Sequence, residues 1–168
     1  HKTPIVLARE PELLYPLLAS YALDYVARQK VGGTSMTYFF VMQFAVPPPS
    51  TFRAKPSWSR ETLQEWLNPR LAELVFTAWD MADFSRRVGF PGQPYRWDPE
   101  RRETMRAELD AAFFHLYEIT RNEVDYILET FPIVKRKDIA AHGEYRTKRL
   151  ILEVYDAMQK AIDTGTEY

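Results

Sequence analysis

Apolar side chains recur at Leu14, Leu17, Leu18, Tyr21, Tyr25 and Val26. That three- and four-residue spacing puts one buried stripe on a helix. Pro11 suits the helix start, where its missing N–H costs nothing, while Pro16 predicts either a kink or a start near Pro16 itself. Gly32 or Gly33 is the expected stop, because glycine tolerates the left-handed backbone beyond a helix end. Residues 37–46 are rich in Tyr, Phe and Val, with apolar residues at both parities. This predicts a strand covered on both faces, ended by Pro47-Pro48-Pro49, which cannot donate to a ladder. Residues 3–7 read as another short strand.

Beyond residue 60 the periodicity is helical. Ser59 is a candidate cap for a short helix through Leu67. Asn68-Pro69, a cap residue followed by proline, predicts a second helix with Leu71, Leu74, Val75 and Trp79 inward. "VGFPGQPYRWDP" is a loop, after which Asp98-Pro99 opens a helix with Met105, Leu109, Phe113, Leu116 and Tyr117 on one face. Thr120 and Glu123 form a capping box for a helix through about Glu129. "FPIVKRKDIAAHGEYR" breaks the pattern. A last helix follows from Glu144 to about Asp163, with Leu150, Ile151, Val154, Tyr155, Met158 and Ile162 inward and Gly165 closing it. Trp79, Trp97, Phe113, Tyr117, Tyr155 and Leu150 are the expected buried anchors.

Composition narrows the chemistry. An apolar fraction of 46% in 168 residues is enough for a packed core. The net charge of −1 leaves any nucleic-acid contact to local basic patches. The lack of cysteine removes disulfides, thiolate metal sites and cysteine nucleophiles. No apolar run approaches the ~18 residues of a membrane span and no signal peptide opens the chain, so a cytoplasmic protein without membrane contact is expected. The abrupt opening "HKTPIVLARE" reads as a cut inside something larger.

Catalytic constellations are absent from the string. His1, His115 and His142 are too scattered for metal-ligand spacing, and His115, beside Phe113 and Phe114, reads as a packed or half-exposed histidine. No phosphate loop, nucleophile elbow or nuclease-type acidic cluster ending in Glu-x-Lys is present. Asn68-Pro69-Arg70-Leu71 lacks the second proline and the aromatic residue of an adenine-methylating motif and reads as a helix cap. Glu61/Glu65 and Glu108/Asp110 are ordinary helix-surface charges unless a cleft gathers them. No catalytic and no metal-binding residue is assigned.

Charge is unevenly placed. Residues 133–149 carry a net +4, from Lys135, Arg136, Lys137, Arg146, Lys148 and Arg149 against Asp138 and Glu144. Residues 100–130 carry a net −4. The basic stretch is either a phosphate-facing surface or the partner of the acidic one. A second basic site is Arg28, Gln29 and Lys30, placed at a helix C-terminus that favours cations in any case. Gly32, Gly33 and Thr34 follow, offering close backbone approach and a small donor to a phosphate.

Two strings, "RQKVGGT" and "GEYRTKRLILE", with the text around them, resemble large bacterial adenine-specific DNA methyltransferases of type IIG-like restriction–modification and phage-defence systems. "DYVARQKVGGTSMTYFFVMQFAVPPP" resembles the end of their target-recognition region. "LNPRLAELVFTAWDMADFSRRVGFPGQPYRWDPERR" and "RAELDAAFFHLYEITRNEVDYILETFPIVKRKD" resemble their C-terminal helical segment. The resemblance implies a mainly α chain in three parts. Residues 1–49 would be a small α/β recognition remnant, 50–60 a linker and 61–168 a helical bundle. It implies a DNA-recognition and scaffold role with double-stranded DNA as partner. Methyl transfer from S-adenosylmethionine would belong to an upstream domain of the same parent, with no cofactor bound here. The implied DNA contacts are Arg28, Gln29, Lys30, Gly32, Gly33, Thr34, Lys135, Arg136, Lys137, Arg146, Lys148 and Arg149. A docking module that binds other domains or subunits is the alternative.

Overall fold

The computed structural model describes residues 8–33 and 35–168. The expected strand at 3–7 and the expected contact residue Thr34 lie outside them. The described residues are mainly helical and contain no strand.

The first helical stripe is divided in two. Helix α1 spans Pro11–Leu18 and α2 spans Tyr21–Lys30. Ser20 makes the break: its hydroxyl donates to the Leu17 carbonyl at 2.8 Å and accepts the Leu23 amide at 3.3 Å, ending one helix and capping the next. Pro16 is accommodated inside α1, and α2 ends on extended Val31.

The strand expected at 37–46 is overturned. The segment forms the short helix α3, Tyr38–Val41, followed by a turn. No neighbouring strand is present among the described residues to take up its backbone groups. They are satisfied locally instead: the amides of Phe40 and Val41 donate to the Thr37 carbonyl, and that of Met42 to Tyr38. The double-faced apolar pattern is therefore only partly buried, with Phe44 inside and Phe39 and Met42 at 70% and 84% exposure.

Residues 50–60 carry buried anchors. Helix α4, Pro49–Arg53, starts on Pro49 and buries Phe52, and Trp58 lies 3% exposed in the core. Helix α5 is one helix, Leu63–Val75, rather than two meeting at Asn68-Pro69. Its start is set by a box that the sequence reading missed: the Glu65 carboxylate accepts the Thr62 amide at 2.8 Å, and Thr62 Oγ1 accepts the Glu65 amide at 3.2 Å. Pro69 sits inside it, flanked by the buried Leu67 and Leu71.

Trp79 and Trp97 are not core residues, at 66% and 59% exposure. They belong to the excursion between α5 and the next long helix, which holds a 3-10 turn at Trp79–Met81 and helix α6, Ala82–Arg87. The excursion is tied back by Ser85, which donates to the Phe90 carbonyl, and by the Tyr95 amide, which donates to Phe76 at 2.8 Å. Trp97 serves as a platform under the Arg102 guanidinium, 3.7 Å from its ring centre.

Helix α7, Pro99–Leu116, is the central element, in contact with α2, α5 and the final helix. Asp98 caps it by accepting the Arg101 amide at 3.1 Å. Met105, Leu109 and Phe113 are buried as expected, and Tyr117 is half-buried, its hydroxyl donating to Ala45. Helix α8, Arg121–Glu129, starts with the Glu123 carboxylate accepting the Thr120 amide at 2.8 Å. The stretch expected to break the pattern is helix α9, Pro132–His142, closed by Gly143 at φ 75°. It has no buried residue, so it shows no apolar stripe. Helix α10, Arg146–Thr164, buries Ile151, Tyr155 and Met158 and is closed by Gly165 at φ 65°. Leu150 is half-buried. None of these helices is long and apolar enough to cross a membrane.

Candidate nucleic-acid interface

The basic end of α2 is built by the helix itself. Arg28 lies one turn after Asp24, and its Nε and Nη2 donate to the two Asp24 oxygens at 3.0 Å each. This fork holds the guanidinium above its ordinary pKa. The same guanidinium lies 4.8 Å over the ring of Phe131, the residue before α9. The C-terminal turn of α2 therefore abuts the start of α9, and two basic stretches far apart in sequence become neighbours. Gln29 and Lys30 are exposed, and their side chains make no hydrogen bond or ion pair among the described residues. Gly32 and Gly33 are exposed too, and a Cβ at either would meet nothing within 4 Å. Packing does not demand glycine there.

Four of the six C-terminal cations are engaged within the chain. Lys148 bridges Asp125 and Glu129 of α8 at 2.9 and 2.7 Å. Lys135 reaches the other Glu129 oxygen at 2.6 Å. Those two ammonium groups hold the Glu129 carboxyl below its ordinary range. Arg149 is held between Glu144 and Glu153, which raise its pKa, and Arg146 faces Glu103 at 3.0 Å. Arg136 and Lys137 are exposed with no such partner among the described residues.

Three basic residues in the first turn of α10 oppose the helix dipole, which would favour an anion there. The chain supplies one. Asp138 of α9 accepts the Thr147 amide at 2.6 Å, capping α10 from outside. The Lys135 and Arg149 pairs are largely exposed and worth only about 0–1 kcal/mol each, whereas the side chains of Lys148 and Arg146 are only 17% and 27% exposed and are held more firmly by their carboxylates.

His115 is packed, as expected from sequence. Its ring stacks on Tyr155 at 3.9 Å, its Nε2–H donates to the Tyr155 carbonyl at 3.0 Å, and burial lowers its pKa. Among the described residues no His, Asp and Glu cluster could hold a metal.

Asp110 is the residue that the sequence reading treated as surface charge. It is 8% exposed and accepts the Tyr21 amide at 2.8 Å, joining α7 to the first turn of α2. The signal was its position in the run Leu109-Asp110-Ala111-Ala112-Phe113, a lone acid among apolar residues. Burial pushes its carboxyl up to about 7, against the opposing pull of the Tyr21 amide and Arg106. The folded chain then holds this proton more tightly than the unfolded chain, whose Asp titrates near ~4. The stability contributed by protonated Asp110 is complete below pH ~4 and is lost as pH rises from ~4 to ~7. Asp110→Asn keeps the acceptor and removes the charge. It is expected to melt higher than the wild type at pH 8 and close to it at pH 4. A variant destabilised equally at both pH values would contradict the buried-charge account.

No protein-family model, curated protein or solved structure matches the chain.

Proposed function

We propose that the chain is the end of the recognition region and the helical extension of a large adenine-specific DNA methyltransferase. In this reading the helical body is a scaffold beside an upstream S-adenosylmethionine-dependent domain. Gln29 and Lys30, with Arg136 and Lys137, contact the phosphates of double-stranded DNA. Such contacts position the duplex without reading its bases. The observation that carries the reading is the Arg28 guanidinium 4.8 Å over the Phe131 ring, which joins the RQKVGGT string to the FPIVKRKD end of the resembling helical segment.

The internal ion pairs divide the basic residues into two groups with different expected behaviour. In the parent enzyme, Lys30→Ala, Arg136→Ala and Lys137→Ala together should weaken binding to all DNA sequences alike. They should flatten the log-affinity against log-salt slope by up to about 0.9 per lost contact. Lys135→Ala and Lys148→Ala, which unpair Glu129, should lower the unfolding midpoint and leave that slope nearly unchanged. An unchanged slope in the triple variant sinks the DNA reading.

The alternative is a docking module whose basic residues serve the chain's own acidic surface. The pairing of Lys148 with Asp125 and Glu129 favours it, as does the exposure of Phe39 and Met42. On that reading Phe39→Ser with Met42→Ser would release the methyltransferase domain and leave the salt slope of DNA binding intact.

A further inference from the structure

A cavity of about 570 Å³ opens between the α1–α2 corner and helices α5, α7, α9 and α10. That volume is within the range of small-molecule sites. Leu71, Leu74 and Leu150 form apolar wall. Arg102, Arg106 and Asp110 come from α7 at four-residue spacing, so they line one side in a row, with Glu103 beside them.

Most charges in this row are already committed. Arg102 donates to the carbonyls of Glu73 and Leu74 and stacks on Trp97. Glu103 and Arg146 form an ion pair at 3.0 Å in which Glu103 Oε2 and Arg146 Nε make no hydrogen bond, Asp110 accepts the Tyr21 amide, and Asp138 accepts the Thr147 amide. Arg106 is different: it makes no hydrogen bond or ion pair among the described residues. A second observation points the same way. Arg102 is 8% exposed, yet its Nε is buried without a hydrogen-bond partner. Buried polar atoms are ordinarily satisfied. The wall thus offers an uncommitted guanidinium and an apolar surface, with an unsatisfied N–H buried behind them. A guanidinium fork matches the two oxygens of a carboxylate.

We propose that this cavity binds a small organic anion of the aryl carboxylate class, its carboxylate on Arg106 and its ring against Leu71, Leu74 and Leu150. The site is independent of the DNA reading. Besides Asp110, the charged and titratable groups lining the cavity are Tyr15 on α1, Tyr21 on α2, Arg102, Glu103 and Arg106 on α7, Asp138 and His142 on α9, and Arg146 on α10. Once Asp110 ionises it opposes the bound carboxylate.

Calorimetric titration of the chain with benzoate, acetate and benzylamine tests the proposal. Benzoate is expected to bind one to one, acetate much more weakly, and benzylamine not at all. Arg106→Gln should weaken benzoate roughly tenfold or more, the usual cost of losing a charged hydrogen-bonding partner. Arg106 is exposed, so the variant should keep the helical circular dichroism of the parent chain. In a His142→Gln background, benzoate stays ionised from pH 6 to 8 while its affinity falls, and Asp110→Asn abolishes that fall. Absence of benzoate binding, equal binding by Arg106→Gln, or preference for benzylamine would each overturn the proposal.

Discussion

Phe113→Ala is expected to remove about 3–5 kcal/mol of folding stability, the range for truncating a buried aromatic ring. Phe113 is 1% exposed on α7, between the similarly buried Ala112 and Phe114. Phe113 belongs to the main buried cluster, and α7 also meets α2, α5 and α10, so the space left by the ring is not expected to collapse freely. Domains are typically stable by only about 5–15 kcal/mol. The loss is therefore a large share of the total and should move a urea midpoint by about 2 M. Trp79→Ala is the control. Its ring is two-thirds exposed and lies T-shaped to Phe76 at 6.0 Å, so its cost should stay within about 0.5–1 kcal/mol. Equal midpoints for the two variants would show that the face of α7 is wrongly assigned.

Glu108→Ala is expected to cost about 2–3 kcal/mol. Glu108 accepts from Arg70 Nε at 2.7 Å and from the Tyr168 hydroxyl at 3.2 Å. Arg70 also donates to the Trp66 carbonyl at 2.8 Å and lies 3.7 Å over the Trp66 ring. Breaking one side of a fully buried ion pair costs about 3–5 kcal/mol because the other charge is stranded. Here the side chains of Arg70 and Glu108 keep 21% and 17% exposure, and the retained Trp66 contacts reduce the cost further. The Tyr168 phenol, pushed up to about 12 by burial and then by Glu108, gives a separate readout. Glu108→Gln should let it ionise at lower pH, though burial still holds it above an ordinary tyrosine. Ultraviolet titration that finds no change would remove Glu108 from the environment of that phenol.

What the sequence made legible follows from where the physical signal is local. Helix α10 was readable because Ile151, Tyr155 and Met158 repeat at helical spacing on a single buried face. The Thr120–Glu123 start of α8 was readable because both partners lie within one turn. Helix α9 was not, because a helix without an apolar stripe is marked only by Pro132 and Gly143. Asn68-Pro69 misled because cap-like chemistry occurs inside α5, whose start is set six residues earlier by Thr62. Residues 37–46 misled because strand propensity is expressed only with a partner strand. At the candidate site, the basic strings were visible, but their division into paired and unpaired cations was not. That division depends on Lys148 meeting Asp125 and Glu129 across two helices, a tertiary fact. Asp110 was hidden for the same reason, since its partner amide is 89 residues away.

The central position of α7 also sets a hierarchy of motion. Helices α2, α5 and α10 all rest on it, so its backbone amides become accessible to solvent only when several interfaces part together. Deuterium should enter α7 last, at a rate that reports the unfolding of the whole domain. Helix α3 has no buried residue and should exchange through local fraying, orders of magnitude sooner. Fast exchange in α3 beside slow exchange in α7 would mark two regions of one chain that open independently.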